Sequence, residues 1–230
     1  MSAPASASSS VAPYGDVPRG ASVERPPRWT AWAGLAYLAL SFTGLALAPL
    51  PDLGSGTGGV QRFLASAAPL PYAAGGVAAV LSYLSLLVFA VGLTAPARSS
   101  GHAGTAVMLA PLGAALAAAA ITTAAALVGA VVLTRGLPLA TAKAVLVAGS
   151  LATWLSVAGI AVTLAALAAL GSPGTSLPRW AGRAAGVVAG LLIAAIPFAW
   201  TPWAHTPALL LDAWILGTAV ILLRRGRDAR

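Results

Sequence analysis

Between Trp29 and Leu223 lie 195 residues that carry only eight charges: Asp52, Arg62, Arg98, Arg135, Lys143, Arg179, Arg183 and Asp212. A soluble domain has about a quarter of its residues charged, so a stretch this poor in charge cannot cover a water-facing surface. The remaining ten charges crowd into the first 28 and last seven residues. A soluble enzyme or nucleic-acid-binding domain is excluded. The net charge of +8 is therefore read as membrane topology.

Uncharged runs occupy 29–51, 63–97, 99–134, 144–178, 184–211 and 213–223. A helix needs about 20 apolar residues to cross a hydrocarbon core of about 30 Å. Trimmed at Pro, Gly and polar clusters, the runs give six spans: 29–50, 73–95, 105–133, 143–170, 181–199 and 206–223. In hydrocarbon every backbone amide must bond within its own segment, so runs of this length imply helices. The short alternating segments of a barrel are missing. The sequence predicts an all-α, polytopic membrane bundle of six transmembrane helices.

Pro49 and Pro51 end the first span, Pro96 the second, Gly136 and Pro138 part the third from the fourth, and Gly171–Gly174 ends the fourth. Pro111 and Pro197 fall inside spans, where a missing N–H kinks a helix. The long, Ala-rich third span is expected to protrude in part. Residues 1–28, rich in Ala, Ser, Pro and Gly, bury too little to offset ordering entropy and read as a disordered cytoplasmic tail. Residues 224–230 read as a basic cytoplasmic tail. Ala46-Leu47-Ala48 resembles a signal-peptidase site, but Pro49 follows it, so the first span is read as a retained signal anchor.

With the N-terminus inside, Arg19, Arg25, Arg28, Arg98, Arg179, Arg183, Arg224, Arg225, Arg227 and Arg230 lie in the cytoplasm. Only Arg62, Arg135 and Lys143 lie outside. Ten against three places both termini in the cytoplasm. Trp29, Trp32 and Trp180 at one boundary, with Trp200 and Trp203 at the other, match interfacial aromatic belts.

Few residues are placed for chemistry. The chain has no cysteine, hence no disulfide or thiolate metal site. Gly54-Ser55-Gly56-Thr57-Gly58-Gly59 matches the dinucleotide fingerprint in form, but no strand precedes it; it reads as a flexible loop. His102 and His205 fall on opposite sides, and no set of three or four metal ligands assembles. His205 and Asp212 are about 10 Å apart along one helix, too far for a dyad. No metal or cofactor is expected.

Asp212 is the one acid inside a span, where an ionised group costs about 2.5–3.5 kcal/mol. Lys143 and Arg135 are its candidate partners, with Trp214 nearby on the same helix. The set reads either as a proton or cation relay or as a static ion pair. The static reading is preferred, because relays show several polar groups along a path and one is visible. Gly182, Gly186 and Gly190 stack on one face of the fifth span and suit close helix packing, within the bundle or across a homodimer. Ala106, Ala110, Ala114 and Ala118 give the third span the same character. Trp154 and Trp214, deep in their spans, either line a cavity or fill the bundle with the indole N–H bonded to a carbonyl; filling is preferred.

From Asp52 onward the chain resembles a broad group of actinobacterial multi-pass membrane proteins. The resemblance rests on the loop after the first helix and on Leu177-Pro178-Arg179-Trp180-Ala181-Gly182. It rests also on a closing helix from Asp212 to Val220 that runs into Arg224 and Arg225. It implies the topology and carries no activity. The expectation is a bacterial inner-membrane protein that is not an enzyme. Its partners are the lipid bilayer and a membrane protein or second copy. A structural or accessory role comes first, and a small transporter or sensor of an apolar or cationic compound using Asp212 comes second.

Overall fold

Every described element of the chain is helical. The computed structural model describes residues 25–49, 56–99, 104–134, 136–171, 178–198 and 206–227. Helix α1 spans Arg28–Leu47, α2 Gly56–Ser66, α3 Pro69–Ser99, α4 Thr105–Leu133, α5 Leu139–Ala169, α6 Arg179–Ala195 and α7 Thr206–Arg227. All but α2 are long and apolar enough to cross a membrane, α6 together with the short turn that extends it to Phe198. At 1.5 Å per residue the 20 residues of α1 reach about 30 Å, the thickness of a hydrocarbon core. The outside of the bundle is coated with exposed apolar side chains, among them Trp32 at 63%, Leu112 at 59% and Val187 at 63%. That coat is suited to lipid and not to water.

The six long helices form a closed ring. Each packs on its neighbours in the order α1, α3, α4, α5, α6, α7, and α7 returns to α1. The N-terminal end of α1 and the C-terminal end of α7 meet, with the Arg25 guanidinium donating to the Arg225 carbonyl at 3.5 Å. Both therefore lie at one end of the ring, called here the terminal face. Phe89, Leu93, Leu164, Leu167, Trp214 and Ile215 fill the centre on that side.

Small residues set the helix spacing. A Cβ at Gly113 would stand 2.6 Å from the Gly159 carbonyl, and one at Gly159 would stand 2.7 Å from the Ala117 amide nitrogen. The α4 and α5 backbones are thus in direct contact, as small-residue interfaces allow. The Thr163 hydroxyl joins them, within 3.1 Å of the Ala110 carbonyl and 3.0 Å of its own Gly159 carbonyl. Gly44 and Gly75 bring α1 and α3 together in the same way.

Several helix ends differ from the sequence expectation. Helix α3 begins at Pro69 and α5 at Leu139, each four residues earlier than expected, because proline is tolerated before and within a first turn whose N–H groups need no partner. Pro96 does not end α3, which runs three residues further. Pro197 falls in a tighter 3₁₀ turn, Ile196–Phe198, rather than in a kink. The largest correction is α2. Gly56 to Gly59 belong to a helix and not to a flexible loop. Val60 and Phe63 seat that helix on Tyr72, Val128, Val131, Val132, Ala142 and Leu146, with the Phe63 and Tyr72 rings edge to face at 5.7 Å. Phe63→Ala is expected to release α2 alone. Hydrogen-exchange protection across 56–66 should fall at least about tenfold, a loss on the order of 1.4 kcal/mol locally, while α4 and α5 keep theirs. Equal loss in all three would refute the independence of α2.

Candidate functional site

Asp212 lies two turns into α7. Its neighbours Leu211 and Ile215 are buried in the ring, whereas Asp212 is half-buried. Two phenol groups, Tyr37 of α1 and Tyr83 of α3, lie within electrostatic reach of its carboxylate. Their rings meet edge to face at 6.1 Å and 69°. Ser41 lies one turn further along α1 from Tyr37. The Tyr83 hydroxyl is 3.3 Å from Ser156 Oγ on α5.

Donor bookkeeping gives this second bond a direction. Ser156 donates its one hydrogen to the Thr153 carbonyl at 2.6 Å, so toward Tyr83 it can only accept, and the phenol donates. The Tyr83 oxygen keeps lone pairs free to accept in turn. The result is a polar layer in which the Tyr37–Tyr83 pair and Ser156 join α1, α3 and α5, with Asp212 of α7 within electrostatic reach. The other buried hydroxyls mostly return to their own helices, as Ser82 does to Ala79 and Thr94 to Ala90. Thr30 and Thr218 keep buried hydroxyl oxygens with no partner among the described residues.

The expected partners of Asp212 are placed differently. Lys143 sits one turn inside α5, beside Ala142 and the α2 cluster, and no ion pair joins it to Asp212. In the ring α6 separates α5 from α7, so sharing a membrane side did not bring the two together. Arg135, His102 and His205, like residues 1–24, Gly54, Ser55, Trp200 and Trp203, lie outside the described residues. Trp214 fills the bundle: its indole N–H donates to the Ala181 carbonyl of α6 at 2.9 Å, and its ring meets Phe89 edge-on at 6.1 Å.

The glycines of α6 divide. A Cβ at Gly182 would meet the Gly171 Cα at 2.7 Å and one at Gly186 the Ala168 Cβ at 3.4 Å, whereas at Gly190 there is open space. Gly182 and Gly186 therefore pack inside the ring against the end of α5, and Gly190 alone faces outward. Among the described residues no cluster of three metal-ligating side chains occurs.

Tyr37, Ser41, Tyr83 and Ser156 were not picked out from the sequence. A signal was present: Tyr37 and Tyr83 lie near the middle of their spans, away from the boundaries where membrane tyrosines gather. The chain matches no known protein family, no curated protein and no solved structure.

Proposed function

We propose that this is a bacterial inner-membrane protein with both ends in the cytoplasm, working as a small transporter or sensor of a cationic compound bound at Asp212. The resemblance to actinobacterial multi-pass proteins and the excess of Arg on the terminal face support that setting. The observation that carries the reading is the polar layer itself. A lone acid favours a static role, but here Tyr37 and Tyr83 from two other helices lie within electrostatic reach of it, and Tyr83 is itself tied to Ser156. A carboxylate in hydrocarbon is costly and is kept where it has a charge to meet.

The test is ligand stabilisation in detergent, with tetraethylammonium as the cationic probe. At a hundred times its dissociation constant a ligand adds about 2.7 kcal/mol to unfolding, a shift that thermal melting resolves. Wild type should gain this and Asp212→Asn should not, while their melting temperatures without ligand stay close. Equal stabilisation of both, or none of either, would defeat the reading. A structural or accessory role is the second reading, favoured by the apolar filling of the terminal half. It expects a stoichiometric partner to copurify from native membrane in mild detergent.

A further inference from the structure

Charge enters the lipid-facing coat of the ring on α6. Ala181, Gly182, Ala185, Val188, Ala189 and Leu192 bury one side of that helix. Arg179, Arg183, Val187 and Leu191 recur at four-residue spacing on the opposite side, all exposed, Val187 at 63% and Leu191 at 41%. One turn apart, the two arginines have Cβ atoms about 5–6 Å from each other. Trp180 beside them sets the level. It is 45% exposed and its ring leans across to Gly217 of α7, 3.9 Å from where a Cβ would stand there. An exposed tryptophan at the end of a span belongs among the headgroups. Arg179 opens a span of 20 residues, about as long as the hydrocarbon core is thick. Arg183 lies about 6 Å further in, and its long side chain reaches back toward the headgroups over apolar surface.

The protein supplies this pair with no counter-charge. Neither guanidinium bonds to a described residue, whereas Arg25 and Arg98 of the same face donate to the Arg225 and Val107 carbonyls. The connection before α6, residues 172–177, holds no charge of either sign. The segments that begin or end at the terminal face bring ten arginines and only three acids, Asp16, Glu24 and Asp228. Most of those arginines are therefore balanced from outside the chain. Like charges one turn apart repel, and an anion shared between them relieves it. The guanidinium fork matches phosphate oxygens two at a time, and basic sites at this level of a bundle hold anionic headgroups. A zwitterionic headgroup brings an ammonium with its phosphate and balances nothing. A free phosphate would leave Val187 and Leu191 bare, whereas a lipid covers charge and apolar wall together. We propose that Arg179 and Arg183 jointly hold the phosphate of an anionic glycerophospholipid in the leaflet at the terminal face, with an acyl chain along Val187 and Leu191. The site stands whether or not Asp212 binds a cation.

Native mass spectrometry of the full chain in detergent, titrated with dioleoyl phosphatidylglycerol or dioleoyl phosphatidylcholine, counts bound lipid directly. Wild type should bind the anionic lipid at least about tenfold tighter than the zwitterionic one, a difference of about 1.4 kcal/mol. Arg179→Gln and Arg183→Gln should each cut that preference to about twofold. Arg98→Gln is the control: it removes the same charge from the same face, on α3, with α4 and α5 between it and α6 in the ring. Its preference should stay that of wild type, since distant exposed charges are screened by salt. Both arginines of the pair are exposed, so the variants should keep the wild-type circular dichroism, and the comparison of the two lipids on wild type needs no variant at all. Equal binding of the two lipids by wild type would overturn the proposal. So would equal losses in Arg183→Gln and Arg98→Gln, which would leave only the diffuse charge of the face. Displacement of the bound lipid by millimolar inorganic phosphate would also overturn it, by making a free anion the occupant.

Discussion

Leucine in place of Gly159 is expected to drive α5 off α4 and to abolish the folded bundle. Even a single Cβ there would stand 2.7 Å from both the Ala117 nitrogen and the Gly113 oxygen. Those atoms belong to helix backbone and have no rotamer by which to move aside. Overpacking a well-filled site costs about 1–3 kcal/mol, and a contact against backbone belongs at or above the upper end. The shift would also break the hydrogen bond from Thr163 to the Ala110 carbonyl, worth about 0.6 kcal/mol in membrane bundles. Unfolding by titrated dodecyl sulfate, followed by circular dichroism, gives the measurement. Gly190→Ala is the control: open space surrounds that position, and its midpoint should stay within about 0.5 kcal/mol of wild type. A Gly159→Leu protein that unfolds at the wild-type midpoint would show that the α4–α5 contact is not close.

The second large effect is expected at Trp214. Its side chain connects three helices, through a hydrogen bond to Ala181 of α6, an edge contact with Phe89 of α3, and its own place on α7. Truncation to alanine leaves a cavity where the ring converges and should cost about 3–5 kcal/mol. Trp214→Phe keeps most of the ring volume and loses the indole N–H, so its loss should be smaller, about 0.6–1.7 kcal/mol. The two losses, from the same detergent titration, separate volume from hydrogen bonding. If Trp214→Phe were as damaging as Trp214→Ala, the bond to Ala181 would outweigh the packing.

The six spans were legible because hydrocarbon imposes a coarse rule: backbone polar groups close on themselves over about 20 residues. Their ends were less legible. Pro69 and Pro138 look like breaks in a sequence, yet a proline at a helix start displaces no hydrogen bond. Helix α2 was hidden by its glycines, whose low helix propensity is overridden by Phe63 and Val60 docking on the rest of the bundle. The neighbours of Asp212 were hidden for a different reason. Tyr37, Tyr83 and Ser156 are far apart in the chain, and only the cyclic order of the helices brings them to one level. Counting charges by membrane side selects residues at the same depth, Lys143 among them, and says nothing about which helices touch.

Ring closure also sets an order of assembly. Synthesis proceeds from the N-terminus, so α1, α3, α4, α5 and α6 are available as an open arc before α7 exists. The seam between α1 and α7 is then the last to form, and the helix that completes it brings the acid. Ile215 of that last helix then closes on Gly34 of α1 and Phe89 of α3.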